Sequence, residues 1–319
     1  MANEYTSILT GGLSDNTVKT MYDFYFEKML RAEPMYRAWA DKRPVQVNGP
    51  GQTIQLQLTN WFGTAAITAA KTPLNEEQDV DSTKLPATNT VNLTVNEYGA
   101  AVTRTKKLNY FSFADVDAEA AEKVAAHCRD VMDELVQDIL VGGTNVLRAA
   151  GRASTVTVAA GDKATSADVR KWYTKLNAAL SPRFGQFYIA GIHPHVIHDL
   201  REESGAGSWR LPHEYSTGLS GPLWTGEYGE FEGIRFLQNT RTRSALDGVG
   251  GTVRVYRTFI HGRQALAERV VEEPNVILSP QTDKLRRFRT IGWYALLGWT
   301  RFREESLLRY ESASTVQSL

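Results

Sequence analysis

Between residues 115 and 141 the sequence writes a single long amphipathic helix, and few folds have room for one. Val116, Ala120, Val124, Cys128, Val131, Leu135 and Ile139 follow one another at steps of four or three, which lines them up on one helical face, while Glu122, Arg129, Asp133 and Gln137 fall elsewhere. Asp115, Asp117 and Glu119 put negative charge in the first turns, where it complements the helix dipole, and Gly142-Gly143 supplies the permissive backbone that ends the helix. At 1.5 Å per residue the helix is a rod of roughly 40 Å. It predicts a spine against which the rest of the chain packs.

Upstream, Thr53-Ile54-Gln55-Leu56-Gln57-Leu58 alternates polar and apolar residues as a half-covered strand does, and a second alternating run carries Val91, Leu93 and Val95. Roughly 30 residues without a clear period separate the two runs, and ordered loops beyond about 12 to 15 residues are uncommon and tend to be functional. The simplest geometry is a long two-stranded ribbon ending in an acidic tip with Glu76, Glu77, Asp79 and Asp81. A lone ribbon is marginal in water because neither face is covered, so something outside the chain is expected to cover it.

Ahead of the ribbon, Val18, Tyr22, Phe26, Met29 and Leu30 recur at helical spacing between Asn16 and Arg31, and Pro34 limits that helix. Arg43-Pro44 and Gly49-Pro50-Gly51 mark a turn-rich connection. After Gly151 the pattern alternates: Thr155 to Ala159 reads as a strand, Ser166 to Ala179 as a helix, Phe187 to Ile192 as a buried strand, and His193-Pro194 opens a helix through Glu203. Residues 204–233, rich in glycine, serine and tryptophan, read as a surface loop. Strands are expected at Val253 to Ile260, Val276 to Leu278, Thr290 to Phe302 and Ser306 to Glu311, with Trp293 and Trp299 in the core.

With 42% hydrophobic and 23% charged residues, the 319-residue chain is globular in composition, and its length allows one large core or two moderate ones. Thirty-six basic residues balance thirty-six acidic ones, so no net positive field of the kind that grips nucleic acid is present, and any DNA contact is local. A single cysteine, Cys128, excludes an intramolecular disulfide and every zinc site built on cysteine pairs, and fits a reducing cytosol. The start lacks a basic segment leading into an apolar stretch, and no run of 18 apolar residues occurs; neither export nor membrane spanning is expected.

The common linear signatures of phosphate-binding loops, zinc proteases, nucleophile elbows and dinucleotide folds are absent. The densest chemical cluster is His193, His195, His198 and Asp199; on a helix His195 and His198 could face one ligand with Asp199 beside His195, as in a metal-dependent hydrolase. Its plainer reading is a helix start with solvated or capping histidines. Asp79 with Asp81, and Asp115 with Asp117, resemble paired metal carboxylates, but serve equally as a soluble tip and as helix-start charge. Cys128, on the apolar helix face, reads as buried rather than nucleophilic. Arg104, Lys106 and Lys107 form one small basic group, and Lys284, Arg286, Arg287 and Arg289 another; either could touch phosphate, or pair with the acidic tip of a neighbouring subunit.

The order of arm, ribbon, spine helix, α/β lobe and returning strands resembles the Hong Kong 97 phage capsid fold, and the local sequence is similar to the phage N4-type major capsid proteins. Asn16-Thr17-Val18 through Leu30, Arg43-Pro44 and Gly51-Gln52-Thr53-Ile54 resemble that family's N-arm and the entry to its E-loop. Thr72-Pro73-Leu74-Asn75-Glu76 resembles the loop, and Asn96-Glu97-Tyr98-Gly99 the step out of it. Ile192-His193-Pro194 with Asp199-Leu200, then Gly226-Glu227 through Phe231-Glu232-Gly233-Ile234-Arg235-Phe236 and Thr240-Arg241, resemble the axial domain. Ser279-Pro280, Asp283-Lys284-Leu285 and Gly292-Trp293 resemble the returning peripheral segment, with a departure at Gln281-Thr282.

The resemblance implies an α+β capsid fold with an N-terminal arm at 1–50, an E-loop ribbon at 51–107, a peripheral spine helix at 108–150, an axial domain at 151–268 and returning peripheral strands at 269–319. It implies a non-enzymatic subunit without cofactor that assembles as pentamers and hexamers into an icosahedral shell around double-stranded DNA, in the host cytoplasm, with scaffolding, portal and decoration proteins as further partners. An encapsulin, a compartment shell that packages protein cargo, is the alternative within the same fold. Inter-subunit contact is expected at Lys71, Glu76, Glu77, Asp79, Asp81 and Lys84, with Arg104, Lys106, Lys107, Lys284, Arg286 and Arg287 as the partner patch. Lys71 and Lys84 also lie where some relatives form a covalent link to an asparagine of another subunit.

Overall fold

The computed structural model describes residues 34–43, 52–71, 73, 76, 77, 79, 82–112, 116–204, 227–280 and 283–316, which all belong to the second of two compact units, Glu33–Leu319. A 3-10 turn over Tyr36–Trp39 leads into β1 (Asp41–Lys42), β2 (Thr53–Thr59), α1 (Thr64–Ala70), β3 (Thr88–Thr94), β4 (Asn96–Thr105), α2 (Lys106–Phe111) and α3 (Val116–Val141). Next come β5 (Val146–Arg148), α4 (Ser166–Ala178), β6 (Tyr188–Ile192), α5 (Pro194–Glu202), β7 (Glu227–Phe231), β8 (Ile234–Gln238) and β9 (Ser244–Leu246). The last strands are β10 (Arg254–His261), β11 (Leu266–Leu278), β12 (Phe288–Arg301) and β13 (Leu307–Ser312).

Three sheets result. β2 and β3 form the antiparallel ribbon; β1, β11, β12 and β4 form a four-stranded sheet in that order; β5, β13, β10, β6, β8 and β7 form the third, with β9 beside β10. In the third sheet every residue of β6 is buried, as its apolar run predicts, against Val169, Trp172 and Leu176 of α4 and Val196, Ile197 and Leu200 of α5. The Thr165 hydroxyl caps α4 by accepting from Asp168 N, and Pro194 opens α5 at its first turn. The four-stranded sheet packs on α3 through Ile291, Trp293, Ala295, Leu297 and Trp299. The chain passes between the two larger sheets at residues 262–265 and again at 302–306, and these passages are bonded to each other: Gly262 N donates to Ser306 O (2.9 Å) and Phe302 N to Ala265 O (2.9 Å).

Several expectations change. Along α3 the most buried residues are Val124, Cys128, Met132, Val136 and Leu140, with Asp133 and Gln137 buried beside them, whereas Val131, Leu135 and Ile139 are half-buried. The buried polar pair has a reason: Asp133 accepts from the backbone N–H groups of Met35 (3.0 Å) and Tyr36 (2.8 Å) and from Gln137 (3.0 Å). Such burial is tolerable only with these bonds in place. Burial raises the Asp133 pKa, against those bonds and Arg241, which lower it. Residues 155–157 form a 3-10 turn, not a strand, and Val276 to Leu278 is only the end of a strand of 13 residues. Asn96 to Thr105, placed with the ribbon, is a ten-residue strand of the four-stranded sheet. Leu307 to Ser312, placed among the returning peripheral strands, lies in the third sheet beside β10. Within the expected loop at 204–233, β7 pairs with β8 across Glu232-Gly233, both with positive φ (52° and 74°), which is the turn that matches strand twist. Residues 205–226, the helix expected at 16–31, and Gln281-Thr282 lie outside the described residues.

Candidate assembly surfaces

The ribbon is the first surface. Its register pairs Ile54 with Leu93 and Leu56 with Val91, so period two gathers Ile54, Leu56, Leu58, Val91 and Leu93 on one face. That face is not bare, contrary to expectation. Leu93 and Val95 are buried against Ala267, Phe302 and the half-buried Leu296 of the same chain. Gly298 allows this approach, because a Cβ there would overlap the Thr94 carbonyl. What stays uncovered is the far end, where Trp61 is 92% and Leu85 84% exposed. Helix α1, in a stretch that showed no period, adds a half-exposed Ile67. Trp61, Phe62, Leu85, Leu58 and Phe302 line an open cavity of about 670 Å³, with Arg43 and Arg303 also on its wall. Lys71, Glu76, Glu77, Asp79 and Lys84 are exposed around this end; Asp81 lies outside the described residues.

The second surface is basic. The two basic groups, far apart in sequence, become one, because β4 and β12 pair Thr105 with Phe288 and Arg104 with Arg289, and Lys106 N donates to Arg287 O (2.7 Å). A cleft of about 280 Å³ there is lined by Arg104, Lys106, Asn109, Tyr110, Asp117, Arg287 and Arg289. Lys106, Lys107, Lys284, Arg286 and Arg287 are exposed. Arg104 is not: at 9% exposure it is ion-paired with Asp117, which also faces Arg289 at 3.6 Å. Arg104 therefore holds the start of α3 to the sheet and is withdrawn from the expected partner patch, and Asp117 is engaged in the same pairing. Asp115 lies outside the described residues. Asp283 ties down Arg287 (2.9 Å), and that guanidinium holds the Asp283 carboxyl below its ordinary range. Beside the cleft, Tyr110 (73%) and Phe111 (78%) of α2 are exposed, as is Leu108.

A third feature is internal. Tyr36, fully buried, stacks edge-on to Trp39 (4.9 Å) and Phe259 (5.8 Å), and its hydroxyl meets Thr242 at 2.7 Å. A Cβ on Gly191 would lie 2.7 Å from Trp39 and 2.8 Å from Tyr36, so the absent side chain makes room for both rings. Arg37 pairs with the fully buried Glu268 (2.6 Å), which also accepts from Trp299 Nε1 (3.1 Å). β1 then runs parallel to β11. Residues 35–42 thus wedge between α3, the third sheet and the four-stranded sheet. Their local sequence gave no sign of it.

The histidine cluster sits at the start of α5. His193 caps α5, its Nδ1 accepting from His195 N (3.2 Å), and burial lowers its pKa to about 4. His195 Nδ1 faces the Tyr256 hydroxyl at 2.7 Å. Asp199 is fully buried and accepts from the Thr315 amide (3.2 Å) and hydroxyl. Among the described residues one group of possible metal ligands occurs, His198, Asp199 and Glu202, but Thr315 already holds both Asp199 oxygens. Cys128 is buried in the core beneath α3, and burial raises its pKa.

No family model matches the sequence, and no curated protein matches it. Solved structures do. The cyanophage Pam1 capsid asymmetric unit superposes with a TM-score of 0.73 at 13% identity, covering 96% of this chain and 99% of that one. The capsid of Ralstonia phage GP4 gives 0.72 at 13% identity with 98% of each chain covered. The acid-stable capsid of Helicobacter pylori bacteriophage KHP30 gives 0.71 at 10% identity, covering 98% and 99%. Spine helix, ribbon and two larger sheets together make this chain a member of the Hong Kong 97-type capsid fold.

Proposed function

We propose that the chain is the major capsid protein of a tailed bacteriophage, of the N4-type branch, a non-enzymatic subunit that assembles as pentamers and hexamers into an icosahedral shell around double-stranded DNA. The observation that carries the reading is the match to phage capsid subunits over nearly the whole of both chains. The exposed end of the ribbon supports it, since Trp61 and Leu85 are apolar surface that a monomer rarely presents together. In this reading the acidic tip, with Lys71 and Lys84, lies on a neighbour's patch of Lys106, Lys107, Lys284, Arg286 and Arg287. Domain boundaries follow the sheets: an arm to about residue 50, the ribbon to Val95, peripheral elements from β4 to α3 and from β11 to β12, and an axial lobe from β5 to β10 joined by β13. Balanced charge suits a wall that encloses DNA without gripping it. Assembly in the host cytoplasm with scaffolding, portal and decoration proteins, and residence in the virion, belong to the same proposal.

Electron microscopy of the purified protein, beside its size-exclusion profile, tests this. Closed particles or five- and six-membered rings are expected. Particles filled with a co-purified protein would point to an encapsulin, and a stable small oligomer that never assembles would overturn the shell reading.

A further inference from the structure

Four cations converge where β4 ends and β12 begins. The register sets Arg104 directly opposite Arg289, and like charges placed across a strand pair repel. Asp117, in the first turn of α3, makes the pair tolerable: Arg104 holds this carboxylate through both Nε and Nη2, while Arg289 reaches it only at 3.6 Å. Lys106 opens α2, and its backbone bond to the Arg287 carbonyl (2.7 Å) sets those two residues side by side. Arg287 has a carboxylate of its own, Asp283, at 2.9 Å.

The four cations and Asp117 line one cleft of about 280 Å³, with Asn109 and Tyr110 offering neutral donors. That is room for a tetrahedral oxyanion with water beside it, at about 30 Å³ for each water. Arg104, Lys106, Arg287 and Arg289 bring four positive charges, and Asp117 and Asp283 return two, so two are left over in a chain whose total charge is zero. Next to them in the chain, Lys107, Lys284 and Arg286 are exposed and add to the same field, and an excess focused on a concave surface draws anions. Arg286 stands in the left-handed region (φ 51°), which glycine adopts freely and a residue with a Cβ only against strain; a cation is kept there all the same.

We infer that this cleft is a binding site for a phosphate dianion, free or as a phosphate monoester. A carboxylate or a phosphodiester brings one negative charge and leaves the cleft positive, whereas the dianion closes the balance. Guanidinium groups grip phosphate oxygens through their planar forks, and an ammonium adds a point charge. The first turn of α3, at the positive end of its dipole, borders the cleft through Asp117 and favours the same sign of ligand. The site does not depend on the shell reading.

Isothermal titration of the unassembled subunit with inorganic phosphate, at low ionic strength and mildly alkaline pH, is expected to show one site per chain. Methyl phosphate separates the two sources: binding as tight as that of phosphate supports a monoester, and weaker binding supports the free ion. Dimethyl phosphate, with a single charge, is expected to bind at least ten-fold more weakly than phosphate, and equal binding would overturn the inference. Lys106→Ala and Arg289→Gln should each weaken phosphate binding at least ten-fold, and Arg289→Lys should restore part of it. Lys106 is exposed, so its variant keeps the test decisive should Arg289→Gln lower the melting temperature. No phosphate binding by the wild type, or unchanged binding in the Lys106 variant, would overturn the inference. A peptide of residues 74–84 is the rival ligand, because the proposed shell lays that tip on the same cations; peptide binding without phosphate binding would overturn the phosphate site and leave the shell reading standing.

Discussion

Acidification should weaken the unassembled subunit through His261. This side chain is buried between Trp39 (ring centroids 4.7 Å) and Phe184 (5.6 Å), with Nδ1 3.3 Å from the Gly262 carbonyl and no partner for Nε2 among the described residues. Burial lowers its pKa from 6.5 to about 4. The folded state therefore binds this proton less readily than the unfolded chain, so the contribution is fully present above pH 6.5 and is lost as the pH falls towards 4. Evaluated at pH 5, the loss is about 2 kcal/mol relative to neutral pH, roughly a thirty-fold change in the folded-to-unfolded ratio. Other groups titrate over the same range, including His193, whose pKa is lowered in the same direction. The comparison with His261→Phe cancels them, since phenylalanine fills the same aromatic slot without a proton to bind. Urea unfolding at pH 7 and pH 5 should show wild type losing about 2 kcal/mol more than the variant. Parallel losses in the two proteins would refute the argument.

Tyr36→Ala should cost about 3–5 kcal/mol in urea unfolding, because it empties a fully buried aromatic site and removes the bond to Thr242; a loss under about 1 kcal/mol would show that the wedge is not a stabilising element. Leu93→Ala should cost about 2–5 kcal/mol, because its side chain is buried against Phe302 and Ala267, and a neutral result would mean that the ribbon is not held by its own chain. His195→Ala should leave particle yield unchanged by electron microscopy while modestly lowering the melting temperature through the lost Tyr256 contact; abolished assembly would contradict a purely local role. Boiling assembled particles in denaturant should release monomers only, and a ladder of oligomers would instead indicate covalent linkage through Lys71 or Lys84.

Elements whose pattern is local were legible in the sequence. The stepwise apolar residues of α3, the alternation in β2 and β3, the apolar run of β6 and the proline at the start of α5 each carry their own period or cap, and these elements formed within about three residues of their expected bounds. β4 escaped because Tyr98-Gly99-Ala100-Ala101-Val102 neither alternates nor runs apolar; its strand state comes from ten pairings with β12, nearly 200 residues on. The same pairing merged two basic groups that looked separate and buried Arg104 against Asp117. Asp133 read as a solvent-facing residue of α3 because its partners, the amides of Met35 and Tyr36, lie almost a hundred positions away.

Where a segment carries its own period, as α3, β2 and β3 do, the sequence alone determined whether it is helix or strand, because that depends on side-chain geometry within a few residues. Only the tertiary structure decided which apolar face is covered by the chain itself, which polar residues are buried, and which apolar side chains, such as Trp61 and Leu85, stay exposed among the described residues. Those outcomes depend on partners brought together by chain closure, and no local pattern of residues specifies a partner.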